Sequence, residues 1–121
     1  SLLRQGLTVS RIYKILPRTE WTAAQAAGVF TGSAVDLADG YIHFSTGPQA
    51  AETARRHFAG KADLVVLEIE AADLGEALVW EPSRGGDLFP HLYGHLAVAA
   101  VRTVTPAPLG DDGVPSLGEL A

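Results

Sequence analysis

Four histidines and a handful of hydroxyl, lysine and carboxylate side chains are the chain's candidates for chemistry, and Cys is absent. Without Cys there is no disulfide, no thiolate metal site and no thiol nucleophile. The stretch Tyr41-Ile42-His43-Phe44-Ser45-Thr46 holds the strongest group. Its alternation predicts a strand with Tyr41, His43 and Ser45 on one face and Ile42, Phe44 and Thr46 on the other. A histidine beside two hydroxyls can orient or deprotonate a substrate group. Thr46-Gly47-Pro48 reads as a helix start, so free N–H groups at Thr46–Gln49 would favour an anion such as phosphate. The Thr46 hydroxyl reads equally well as a plain N-cap.

A second group lies in Phe89-Pro90-His91-Leu92-Tyr93-Gly94. His91 and His95 are four apart, but Pro90 and Gly94 argue against the helix that would pair them, and no third ligand stands at a usual spacing, so no metal site is expected. No G-x-S-x-G elbow supports a serine hydrolase. No G-x-G-x-x-G or Walker loop supports a dinucleotide or triphosphate fold. If the two segments meet, His43, Ser45 and Tyr93 should border one pocket, with Lys14 at its rim and His91 beside them.

The elements that must position these groups follow from periodicity. Arg11 to Leu16 reads as a strand, with Ile12, Lys14 and Leu16 on one face; a mid-strand Lys ordinarily faces solvent. A helix is predicted from Glu20 to Ala27, capped by Thr19 and closed by Gly28. Val29 to Gly40 reads as a loop containing one Ser33-capped turn at Ala34–Ala38. Pro48 opens a second helix to Ala59, with Ala50, Ala54 and Phe58 as its buried stripe. Arg55, Arg56 and His57, with Lys61 nearby, form the one basic cluster, which also reads as a solvated helix face. Leu64 to Glu70 is the clearest strand, apolar on both faces at first, with Glu68 and Glu70 turned outward. Ala77 to Glu81 is a further strand, and Leu96 with Val98 to Thr105 supplies the closing ones. This order predicts an α+β domain. We expect a leader at 1–10, a single domain at 11–105 and a loose tail at 106–121.

The 121 residues carry a formal net charge of −5 and are 47% hydrophobic. That balance suits a folded core and argues against non-specific nucleic-acid binding, which needs clustered Lys and Arg. No apolar run is long enough for a membrane span, no signal-peptide core is present, and a cytoplasmic protein is the default expectation.

The sequence of segments IYKIL, GYIHFST, LVVLEIE, WEP and FPHLYG, between Arg11 and Thr105, resembles the small bacterial family catalogued as domain of unknown function 952. More distantly, Tyr41 to Ile69 is similar to the matching span of the RNA 2′-phosphotransferases, members of the ADP-ribosyltransferase superfamily. That resemblance implies a split, strongly curved β-structure with short helices and an NAD or ADP-ribose-like ligand. His43 falls on their active-site histidine, in a segment where Leu or Phe, Ser or Ala, and Thr follow it. Lys14 stands where the superfamily has a histidine on its first strand, and Ile15 replaces a glycine. Arg55, Arg56 and Arg84 are the candidates for a 2′-phosphate, and Glu81 for the glutamate of the protein-modifying members. The resemblance thus implies a transferase or nucleotide-binding cleft in which His43 orients a ribose hydroxyl or phosphate. Lys14 would neutralise phosphate and Tyr93 would stack on a ring; Ser45, Thr46 and His91 complete the set. The competing class is a non-catalytic module for a small ligand or a partner protein.

Overall fold

The computed structural model describes residues 10–120, so most of the expected leader lies outside the described residues. Among the described residues, three antiparallel sheets and three short α-helices make up the α+β architecture. The largest sheet is built on β1 (Arg11–Pro17) and β5 (Leu64–Glu70), paired from Arg11↔Glu70 to Pro17↔Leu64. Strand β9 (Val101–Ala107) extends it beyond β5, and β4 (Ser45–Thr46) pairs on the other side of β1. Alternation along β1 sends Ile12 and Leu16 into one core cluster and Tyr13 and Ile15 into another. Strand β5 does the same with Val65, Leu67 and Ile69 against Leu64 and Val66. Both strands are therefore covered on both faces, which is why they read as nearly unbroken apolar runs.

A second sheet has the order β3 (Ile42–His43), β7 (Leu88–Leu92), β6 (Leu78–Pro82). A two-stranded ribbon joins β2 (Val29–Phe30) to β8 (Leu96–Ala97). The segment 41–46, expected as one strand, is thus divided between two sheets. Phe44 is the crossing point: its ring is buried and its amide donates to Pro90 O at 3.0 Å. Alternation runs on through Phe44, so periodicity carries no sign of the break. Pro90 sits in the centre strand without an N–H to offer, and its carbonyl serves the strand that changes sheets.

Helix α1 (Arg18–Ala27) ends at Gly28, whose φ of 81° needs a residue without a Cβ penalty. Helix α2 (Ala34–Asp39) carries the Ser33 capping box. Helix α3 (Gly47–His57) buries Ala50 and Ala54. It stops two residues short of the expected Ala59, and Phe58 is only partly buried, packed on the rim of the second cluster. Two further expectations are corrected. Glu70 does not turn outward: it is buried, accepting from Ser10 N at 3.0 Å and Arg11 Nε at 3.2 Å and capping the turn Ala71–Ala77 through Ala72 N. The described part of the expected tail, 106–120, is not loose either. Val114, Leu117 and Leu120 pack on the cluster of Tyr13, Ile15, Ala54 and Val66, and Gly60 N donates to Gly113 O at 2.7 Å. Docking needs only three apolar contacts joined by tight turns, and such a segment has no period to reveal it.

Candidate functional site

The site forms where the two larger sheets meet. Strand β1 contributes Lys14, the crossing segment contributes Tyr41, His43 and Ser45, and β7 contributes His91. All five line one cleft of about 570 Å³, together with Asp39, Glu20, His57 and Lys61. The expectation that the two histidine segments meet is realised through strand register, since His43 pairs directly with His91.

Asp36 is the fixed point of the site. It occupies the third position of α2, where the Ser33 capping box folds its side chain back; Ser33 N donates to Asp36 Oδ2 at 2.8 Å. The carboxylate is buried and receives Lys14 Nζ at 3.0 Å on Oδ1 and 2.9 Å on Oδ2. His43 contributes its backbone N–H at 3.1 Å and its ring Nδ1 at 2.7 Å. Burial pushes the Asp36 carboxyl up, but the His43 hydrogen bond and the Lys14 charge outweigh it and hold it at about 2. Burial pushes Lys14 down, against the pull of Asp36. An ionised carboxylate only accepts, so His43 carries a proton on Nδ1 and Nε2 faces outward. There it meets Asp39 Oδ2 at 2.9 Å.

A second carboxylate–imidazole pair stands beside the first. His91 Nδ1 lies 2.8 Å from Glu81 Oε1, and Tyr93 OH donates to the same oxygen at 2.8 Å. Those two bonds hold the Glu81 carboxyl below its ordinary value, and the Glu81 bond raises the Tyr93 phenol. Tyr41 joins the pairs: its ring stacks on His91 at 4.2 Å and 15°, and is tilted against His43 at 4.6 Å and Tyr93 at 5.2 Å.

Several expected roles change. Lys14 does not face solvent: it is buried, and Asp36 takes its charge inside the fold. Tyr93 is exposed and is not among the residues that line the cleft, whereas Tyr41, stacked on His91, is. Thr46 is a capping residue: its hydroxyl accepts from Gln49 N at 3.3 Å and Gln49 Oε1 accepts from Thr46 N at 3.0 Å, so these groups are not open to an anion. Ser45 Oγ lies 2.9 Å from Thr53 Oγ1, which donates on to Gln49 O at 3.2 Å. Arg55 and Arg56 both bind Glu52 on the exposed face of α3, and the Arg84 side chain lies outside the described residues. No group of three metal-binding side chains is found among the described residues, and none of their helices is long and apolar enough to cross a membrane.

Sequence reasoning missed Asp36, Asp39 and the role of Tyr41. Asp36 had a signal, because a Ser-capped turn places its third residue against the cap. Asp39 lies four residues before His43, across the Gly40 turn, a spacing with meaning only once that turn is known.

The fold and site define an α+β domain of small antiparallel sheets with a histidine-lined cleft between them. The chain belongs to the family described as protein of unknown function DUF952, which matches residues 15–104. It is 59% identical to protein CC0527 from Caulobacter crescentus, a structural-genomics target. The crystal structure of that protein superposes with a TM-score of 0.88 over 90% of this chain and 96% of the other. Its solution NMR structure gives a TM-score of 0.81 over 89% and 93%. No curated protein matches the chain.

Proposed function

We propose that the cleft binds a nucleotide of the NAD or ADP-ribose type, and that the domain is an ADP-ribosyltransferase-like transferase. The carrying observation is the convergence of a carboxylate-backed His43 and the Tyr41–His91 stack on one cleft of about 570 Å³, a size suited to a small ligand. Core packing alone does not call for two histidines and a tyrosine there. The division of the β-structure into separate sheets is consistent with the split fold of that superfamily. His43 Nε2 orients a ribose hydroxyl or a phosphate. Tyr41 supplies the ring face expected of Tyr93, and Glu81 is the strand carboxylate bonded to His91 Nδ1.

The test is a thermal-shift series with NAD and ADP-ribose, followed by an assay of nicotinamide release. A ligand at ~100 times its dissociation constant stabilises by about 2.7 kcal/mol. His43→Ala should stay folded, with a melting temperature lowered by the loss of the Nδ1 bond to buried Asp36, and should lose that shift; no shift in the parent protein at millimolar ligand would end the proposal. One observation favours a second reading, a non-catalytic binding module: Lys14, His43 and His91 are each already held by a carboxylate. Nucleotide binding without nicotinamide release would select it.

A further inference from the structure

Asp36 and Asp39 approach opposite nitrogens of the same imidazole, and they are built differently. Asp36 is buried and held by Lys14, by Ser33 N and by the His43 amide as well as by Nδ1. It fixes the ring. Asp39 has a side chain that is 45% exposed, its contact with His43 is through Nε2 alone, and it is the last residue of a six-residue helix. Gly40 follows at φ 88°, a conformation in which the chain turns directly beyond Asp39. Asp39 and His43 both line the cleft.

Building on the nucleotide reading, we propose that Asp39 is an internal stand-in for the ligand: its carboxylate occupies His43 Nε2 in the free protein, and a phosphate oxygen of the nucleotide replaces it on binding. The chemistry of the two is alike: each is an anionic oxygen accepting from Nε2–H of a ring whose Nδ1–H is given to Asp36, so the contact is that of the imidazolium with a proton on both nitrogens. The ring does not need to move, because Asp36 keeps hold of Nδ1. Release of Asp39 is easy, because an exposed ion pair is weak; removing the competitor should tighten binding by about two- to five-fold.

The experiment follows the ¹⁵N resonances of the His43 ring in the full chain during titration with pyrophosphate and with ADP-ribose. Both probes should move Nε2 and leave Nδ1 in place, and Asp39→Ala should bind both more tightly. Asp39→Asn, which keeps the side chain's shape, serves if the alanine variant misfolds. Glu20→Gln is the charge control: Glu20 lines the same cleft but its carboxylate accepts from Ser33 Oγ at 2.6 Å, and no contact with His43 is found for it. Equal tightening in Glu20→Gln would reduce the effect to general charge and overturn the proposal, as would unchanged affinity in Asp39→Ala. ADP-ribose binding with a stationary Nε2 would refute the stand-in and leave the nucleotide reading intact. Displacement by pyrophosphate with no ADP-ribose binding would sustain the stand-in and end the nucleotide reading. An Nε2 that moves with neither probe in either protein would also overturn it.

Discussion

The pairs Asp36–His43 and Glu81–His91 share one motif, an imidazole Nδ1 held by a carboxylate oxygen at 2.7 and 2.8 Å. Their burial is inverted. In the first pair the acid side chain is 1% exposed and the ring 30%; in the second the ring is 4% exposed and the acid 34%. In the first, the fold grips the acid and presents the ring to the cleft. In the second, the fold grips the ring, under Tyr41, and leaves the acid near the surface. The same contact therefore has different consequences. Loss of the buried member removes a support of the fold, whereas loss of the exposed member removes a group that a ligand can reach.

The largest expected effect follows from the grip on Asp36. Asp36→Ala leaves the Lys14 ammonium buried without its counter-charge, a loss of about 3–5 kcal/mol. Denaturant unfolding at neutral pH measures it. The double variant Lys14→Met/Asp36→Leu should lose less than the single one, because no uncompensated charge remains. If the single variant loses under about 1 kcal/mol, the first pair is no more of a support than a surface contact, and the contrast between the pairs collapses.

Acid titration probes the same pair without mutation. Asp36 is held at about 2, below the ordinary value near 4. A carboxyl depressed in the folded state adds stability above its unfolded pKa, and that stability disappears as pH falls through the folded one. The window is therefore about pH 4 to 2, and two units correspond to roughly 2–3 kcal/mol. Glu52, Glu70 and Glu81 are also lowered and act with the same sign. The ¹³C resonance of the Asp36 carboxyl should titrate near pH 2. A midpoint at 4 would show that neither His43 nor Lys14 holds it.

This contrast explains what the sequence could reveal. Strands β1 and β5 were legible because both faces of each are buried, and burial leaves an apolar run. Helix α3 was legible from Pro48 and the Ala50–Ala54 stripe, and the family from the HFST and PHLYG segments. The candidates His43, Ser45, Lys14 and His91 line one cleft, and Glu81, nominated from the resemblance, is the carboxylate on His91. Asp36 and Asp39, the carboxylates on Lys14 and His43, were not legible. Whether Lys14 meets water or Asp36 depends on where a six-residue helix lands, and a charged residue in a strand reads the same in either case. The resemblance put Tyr93 on a ring, but it is Tyr41 that covers His91, across the paired β3 and β7. The docked end of the chain escaped notice because Val114, Leu117 and Leu120 follow the shape of a groove rather than a helix or strand period.

The smallest effect on stability is expected at Glu81, and it sharpens the comparison most. In Glu81→Gln the side-chain carbonyl can still accept from His91 Nδ1 or Tyr93 OH. The His91 ring is held in any case by burial and by Tyr41 at 4.2 Å. The melting temperature should therefore stay at that of the parent protein, and the ring resonances of His43 should not shift. What the substitution removes is a negative charge on β6 that is not among the cleft-lining residues and connects to the cleft through His91; under the transferase proposal that charge stabilises positive charge developing on a ribose ring. Nicotinamide release should then fall by at least about ten-fold, the scale expected when one electrostatic contact made in the transition state is lost, while the affinity for ADP-ribose holds. A fall in melting temperature comparable to that of Asp36→Ala would make the two pairs equivalent supports and remove the asymmetry. Unchanged stability with unchanged turnover would keep the asymmetry but move the catalytic carboxylate away from Glu81.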